Sequence, residues 1–557
     1  MNYGEKEATS RDLELCKVLL NAGKVARGSW EEIANLVVPE IISAADLKAT
    51  PDVDKSRVCG YARHDVFQLT SAHVNYITPM GQRWFQYAPW TKANDDNEEW
   101  ASKDSWFSRV TEIAQEAIER SNFYTEELSC FLDRVTTGTG LLFCDPTEDG
   151  ELYFAHVPAG TYGLAENNFH EVDTVCRMMK MSPAQILQEF DGVNLPDDIR
   201  KEFEDVNSRY KVNRLIYHLV EPRPNAVQAS NTLNAIDMPW RSVYIDVNSQ
   251  KVLSESGYYE FPFVATRFVR CGSQVFGRSA LAGVVQDIKD LMDLKHFLRV
   301  SAEQKVYPPM LISADLVGQV DLRAGGKTII DRQDASLNLP KPLLPANDIR
   351  EALQHIEELK GNIDDATFVS VMKTVSNVDR AMTATEVNAR QSESIMTFTQ
   401  SFTQHVADFK PMMARIFAIL WRAGKFPKAG APRDLVEYFT DENQVIREKV
   451  SAPNLLYVGR MAQALNYSQQ SSLNNTVSEL VQLTQATQND EFLLPIDITS
   501  MVRWKLNSAG VPQKCLREND DVKRILQMRQ KQQEAAMNAQ LAEQESAAAR
   551  NMAQAEQ

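Results

Sequence analysis

Several kinds of chemistry are missing from this 557-residue chain. Its seven cysteines (Cys16, Cys59, Cys130, Cys144, Cys176, Cys271 and Cys515) are scattered, and no two form a Cys-x-x-Cys pair. Dispersed cysteines suit a reducing cytoplasm and predict no disulfide framework. The eight histidines include no His-x-x-x-His spacing, and His64 and His73 stand nine residues apart, so no metal site is expected. No Gly-x-Ser-x-Gly nucleophile elbow is present, and no Gly-x-Gly-x-x-Gly follows a strand-like run. No stretch approaches the ~20 apolar residues of a membrane span. Met412–Trp421 comes nearest and is interrupted by Arg415. The polar start Met1-Asn2-Tyr3-Gly4-Glu5-Lys6 lacks the apolar centre of a signal peptide. Basic residues are outnumbered, 59 against 75 acidic, for a net charge of −16. A surface of that sign cannot hold nucleic acid broadly, because phosphate binding needs concentrated Lys and Arg.

One stretch imitates a phosphate-binding loop. Gly325-Gly326-Lys327-Thr328 ends like a P-loop, but Asp321 stands where the first glycine belongs, and the strand-like Ile329-Ile330-Asp331 follows where a helix is required. A glycine turn in a hairpin is the better reading. No residue constellation supports catalysis, so neither enzyme activity nor a cofactor is expected.

What is present is length and periodicity. Two to four domains are expected for 557 residues. Residues 9 to about 130 read mostly as helices, with Leu13, Cys16, Leu19 and Leu20 on one stripe and Ser29-Trp30-Glu31-Glu32 as a capping box. Helices are expected over 60–77 and 100–135, joined by Thr78-Pro79-Met80-Gly81. From Leu141 the period changes to two. Leu141–Cys144, Leu152–Val157, Val172–Met181, Leu215–Val220, Ser242–Val247 and Phe263–Val269 read as strands, with a helix at Pro183–Phe190. Thr137-Gly138-Thr139-Gly140 reads as a tight turn feeding the first strand. The fold class is therefore α+β and predominantly helical.

Further on, Val284–Tyr307 contains no glycine or proline, a breaker-rich island spans Pro308–Pro345, and Asn362–Lys410 is again free of both. Thr383-Ala384-Thr385-Glu386 has capping-box form. After it Ile395, Phe398, Phe402, Val406, Phe409, Met413, Ile416 and Leu420 recur at helical spacing, predicting a helix of about 40 residues and roughly 60 Å with Pro411 inside it. Another helical region is expected from about Asn454 to Ala509, and an Ala/Gln-rich helical tail over 527–557.

Several blocks, in order, resemble the head-to-tail connector (portal) proteins of short-tailed bacteriophages. They are Trp30-Glu31-Glu32-Ile33-Ala34 with Pro39; Asn75-Tyr76-Ile77-Thr78-Pro79 with Trp84-Phe85; and Gly138-Thr139-Gly140-Leu141-Leu142-Phe143. Phe276-Gly277-Arg278-Ser279 follows, with Asp287-Ile288-Lys289 and Leu291, then Met382-Thr383-Ala384-Thr385-Glu386-Val387. Val511-Pro512-Gln513 and Leu516-Arg517 come last. Phe276 replaces the family's usual Tyr, and Ser451-Ala452-Pro453 with Gly459-Arg460-Met461-Ala462-Gln463 is a looser match. The resemblance implies a homo-oligomeric ring, typically of twelve, at one capsid vertex of the virion, assembled from chains made in the host cytoplasm. Double-stranded DNA would enter through it during packaging by terminase and leave through it on ejection.

It also implies a wing (1–275), a first stem helix (278–306), a clip (307–347), a second stem helix (348–367), a channel loop (369–382), a long kinked wing helix (383–425), a crown (426–526) and a helical barrel (527–557). The major capsid protein, a scaffolding protein, the terminase large subunit and a tail adaptor are the implied partners, with no direct membrane insertion. Lys289, Lys295, Arg299, Lys373 and Arg380 are the candidates for basic rings along the channel. Ion pairing between adjacent subunits, with Asp287, Asp290 or Glu303, is the competing role for them. A non-portal scaffold or tail component built from long helices is the alternative. A scaffold would be helical throughout, without the strand-rich first half.

Overall fold

The computed structural model describes residues 10–48, 58–90, 97–190, 195–212, 214–224, 234–306, 310–311, 341–342, 350–370, 399–432, 435–440 and 446–459, with helical turns between 476 and 539. The chain opens with helices α1 (Ser10–Val37), α2 (Glu40–Ala45) and α3 (Gly60–Ile77), then strand β1 (Phe85–Ala88). Helices α4 (Asn97–Arg120) and α5 (Phe123–Thr137) follow, divided at Ser121-Asn122. The expected helical stripe of α1 is buried at Cys16, Leu19 and Leu20. Ser29 does not cap a helix, which corrects the capping-box expectation. It lies inside α1, and its Oγ donates to the Ala26 carbonyl at 2.7 Å. The helix continues through it because Trp30, Ile33, Ala34 and Val37 extend the same buried face.

Two antiparallel sheets come next. The first has the order β3-β2-β9, from β2 (Thr139–Pro146), β3 (Leu152–Val157) and β9 (Phe263–Arg267). The second has the order β4-β5-β6-β7-β8, from β4 (Tyr162–Glu166), β5 (Val172–Met181), β6 (Arg214–Pro222), β7 (Trp240–Asp246) and β8 (Lys251–Tyr258). Helix α6 (Pro183–Glu189) carries a true capping box, Ser182 with Gln185. Helix α7 (Asp197–Glu204), like β4 and β8, goes beyond the elements expected from periodicity.

A short 3-10 turn (Ala280–Gly283) leads into α8 (Val285–Val306). The helix thus starts seven residues later than 278. Arg278 is still extended, bridged to Val269, and the Ser279 hydroxyl caps the 3-10 turn by accepting from Leu281 N at 3.1 Å. Within the island, β10 (Met310–Leu311) pairs with β11 (Lys341–Pro342). Helix α9 (Arg350–Ala366) follows, and α10 (Thr399–Arg422) contains Pro411 and stops before Gly424, whose φ is +67°. The helix expected from about Asn454 does not begin there, since Asn454–Tyr457 is a strand, while residues 476–482 of the expected region are helical. Strands β12 (Val436–Thr440) and β13 (Ile446–Val450) form a hairpin, and β14 (Asn454–Tyr457) pairs with β1. The β-branched and aromatic residues Val436, Tyr438, Phe439 and Thr440 are the strand signal.

Two large cores hold these elements. One joins α1, α2, α3 and α5 to α8 and α9 through Trp30, Val66, Leu69, Phe131, Ile288, Leu291, Ile356 and Ile363. The other sets the apolar face of α10 (Phe409, Met413, Ile416, Leu420) against α4, α5, β1 and the smaller sheet. Each fully buried aliphatic or aromatic side chain contributes roughly 1.5–3 kcal/mol. The core therefore ties sequence segments hundreds of residues apart.

Candidate functional site: a two-helix arm and the joint that holds it

Helices α8 and α9 form a two-helix arm. Asn362 Nδ2 donates to Asp287 Oδ2 at 3.0 Å, so the first turn of α8 meets the later turns of α9. Ile288 and Leu291 pack with Ile356, Leu359 and Ile363. Beyond Leu291, Met292, Leu294 and Leu298 still pack against the core in part, whereas Phe297 is 64% exposed and Val306 is 70% exposed.

Three of the expected basic residues lie on α8. Lys289 pairs with Glu32 of α1 at 2.6 Å, and Arg299 reaches Glu303 one turn on at 3.6 Å. Lys295 sits 5.7 Å from the Tyr61 ring centroid, as does Lys360 of α9, while the Tyr61 hydroxyl donates to Asp364 at 2.7 Å. Lys289 and Arg299 thus have partners within their own chain. Lys373, Arg380, Thr383, Thr385 and Glu386 lie outside the described residues.

The arm is fastened by a joint that brings together two motifs lying 138 residues apart. Gly138 ends α5 in the left-handed region (φ +92°), where a side chain is strained, and its N–H donates to Arg134 O. A Cβ there would stand 2.5 Å from Gly277 O, and one on Gly277 would stand 2.3 Å from Gly138 O. Two backbones therefore touch directly at this point. Gly277 N donates to Thr139 Oγ1 at 2.8 Å, Phe268 N to Gly138 O at 3.0 Å, and Ser279 Oγ to Val135 O at 2.9 Å. Tyr162, whose hydroxyl donates to Thr139 O, stacks on Phe276.

Buried charge locks α10 to the same joint. Asp408 accepts from Arg267 N at 2.8 Å and from Arg267 Nη2 at 3.0 Å, and Glu166 of β4 accepts from Arg267 Nη1. Arg134 is fully buried and donates from Nε to Arg267 O at 3.1 Å. Burial pushes its guanidinium down to about 10, against the opposing pull of Asp408. His73 and His405 lie beside it. Burial, then the Arg134 charge, holds His73 at about 3 and drives His405 far below its ordinary value. Neither ring nitrogen of His405 has a hydrogen-bond partner among the described residues, and the ring stacks on Phe409.

Lower on α10, Arg415 is buried and donates to Cys144 O, Glu260 O and Asp145 Oδ1 at 3.0, 2.7 and 3.0 Å. Arg134, Glu166, Arg267, Asp408 and Arg415 were not singled out as site residues. Arg415 alone left a signal, as the one charge interrupting an apolar run.

The profile described as "Bacteriophage head to tail connecting protein" matches residues 19–516. This chain belongs to that family. The matched span includes the connector's arm, both halves of the glycine joint and all of α10. The connector is 24% identical over 475 residues to a portal protein of Salmonella phage epsilon15, covering 84% of this chain and 81% of that one. It is 23% identical over 324 residues to a probable portal protein of Bordetella phage BPP-1, covering 58% and 57% of the two chains.

Proposed function

We propose that this connector is a portal subunit, copies of which close into a ring, typically of twelve, at one capsid vertex of a short-tailed phage. The observation that carries the proposal is the family match from residue 19 to 516, which runs through the arm, the joint and α10 together. In this reading α8 and α9 are the stem, β10 and β11 belong to the clip that meets the terminase large subunit and then the tail adaptor, and the sheets with α1–α5 and α10 are the wing. Scaffolding protein and major capsid protein surround the ring. The protein acts by shape, with no reaction of its own.

The charge balance supports a conduit. A lumen that gripped phosphate strongly would stall a sliding duplex, since each neutralised phosphate adds to affinity. A subunit charge of −16 with a few local cations gives weak, nonspecific contact. The exposed Phe297 edge of α8 supports packing against a neighbouring subunit.

Electron microscopy of the purified full-length protein tests this directly. Rings with a central hole are expected, and rods or compact monomers under assembly-promoting conditions would overturn it. ATP hydrolysis by the purified chain would overturn the reading as a passive conduit.

A further inference from the structure

The hairpin that joins β4 to β5 carries a large apolar side chain that its own chain leaves uncovered. Phe169 is 82% exposed, more than any other aromatic residue among those described. The turn presenting it is held by its own hydrogen bonds. Asn167 Oδ1 accepts from Phe169 N at 2.8 Å and from Glu171 N at 3.1 Å, while Asn167 N donates to Glu171 O at 2.9 Å. At the base of the turn, Glu166 accepts from the buried Arg267. The tip is therefore shaped before it meets a partner, which lowers the cost of binding. It is also acidic: residues 163–176 hold Glu166, Glu171 and Asp173 and no Lys or Arg.

A surface of the opposite character lies along α1. There a cleft of about 440 Å³ has Leu20, Met178 and Tyr217 as apolar walls, with Lys17, Val18 and Lys24 on the helix side. Val18 is itself exposed. Lys17 and Lys24 are two turns apart and so share one face of α1. Among the described residues neither is ion-paired. The cleft is out of reach of its own chain's tip. About 20 Å of extended strand separates Val172, where the tip joins β5, from Met178 in the cleft. A Phe side chain cannot cross that distance.

We propose that Phe169 of one copy of this chain inserts into the α1 cleft of the next copy, where Glu171 meets Lys17 or Lys24. The contact rests on the reading of the protein as a ring and names two surfaces that close it. Tip and cleft are different patches of one chain, so their pairing is head-to-tail, the kind of contact that generates rings when the rotation closes. An aromatic side chain in an apolar cleft serves as the anchor of such an interface. The opposite charges at its rim select the partner and fix the register.

The test uses the full-length chain. Phe169→Ala should lower ring formation at least tenfold by size-exclusion chromatography with light scattering, while the monomer's melting temperature stays within a few degrees. Lys17→Glu with Lys24→Glu should have the same effect, and adding Glu171→Lys should restore rings. Chains carrying Phe169→Cys, mixed with chains carrying Val18→Cys, should form an interchain disulfide between positions 169 and 18, identified by mass spectrometry of non-reducing digests. Normal rings from Phe169→Ala, no linked peptide from assembled rings, or no rescue by the third substitution would overturn the contact. Loss of monomer stability in Phe169→Ala would assign the side chain to its own fold and overturn it as well. Failure of the unsubstituted chain to form rings would instead overturn the portal reading on which the contact depends.

Discussion

Asp408 faces Arg267 directly and lies near the fully buried Arg134, and its side chain is almost completely buried. Removing it leaves Arg267 with Glu166 as its remaining carboxylate partner and takes away the negative charge near Arg134 in a low-dielectric interior. Asp408→Ala is expected to cost about 3–5 kcal/mol in urea unfolding. Lys289→Ala breaks a pair open to solvent and should change stability by less than about 1 kcal/mol. At the joint, Gly277→Ala puts a methyl against the Gly138 carbonyl, with a loss of roughly 3 kcal/mol expected in the same assay.

The paired histidines set a pH dependence. His73 and His405 stay neutral in the fold down to pKa values far below that of an unfolded histidine, about 6.5. The unfolded chain therefore binds more protons below that pH. The His73 contribution is intact above pH 6.5 and is lost as pH falls towards about 3, at roughly 1.4 kcal/mol per unit, and that of His405 is lost in the same direction below pH 6.5. His405→Leu should flatten the slope of stability against pH between 6.5 and 5, measured by denaturant midpoints. An unchanged slope would exclude His405 from the effect.

Among the elements, α8 is built differently from α10. Helix α10 buries one continuous face, whereas α8 covers Ile288 and Leu291 and leaves Phe297 and Val306 in the open. Phe297→Asp adds a charge where the single chain has nothing to lose. The monomer's melting temperature is expected to stay within a few degrees, while ring assembly seen by size-exclusion chromatography with light scattering should fall at least tenfold. Loss of monomer stability instead would mean that Phe297 serves the chain's own core. Element type was readable where periodicity ran long, as in α10 and in β5, β6 and β7. It was misjudged where one signal had two meanings. Ser29-x-x-Glu32 matches a capping box, yet the apolar stripe continues through it, and burial of Trp30 and Ile33 outweighs a cap. The start of α8 moved from 278 to 285 because Arg278 found a strand partner, a contact with no local signature.

At the scale of the whole molecule, the channel reading concerns the candidate cations. Within one chain Lys289 and Arg299 are occupied by Glu32 and Glu303, and exposed pairs of this kind exchange readily. Alanine at Lys289, Lys295 and Arg299 together should leave ring assembly intact and alter packaging or retention of DNA. Neutralising Lys373 with Arg380 should do the same. Normal packaging by both variants would discard the channel role.

Composition and period alone determined that this is a large, acidic α+β chain with long helices around a breaker-rich island, because those properties depend on residue type and near neighbours. The order of short motifs was enough to suggest the family. Only tertiary structure decided what the motifs are for. Gly138 and Gly277 are unremarkable until two backbones need to touch; Asp408 is one acid among many until burial sets it against Arg267; Asp12 and Arg241 are unrelated until α1 lies on the sheet. Each is a contact across more than a hundred residues, and its strength comes from exclusion of water, which no local stretch of sequence encodes.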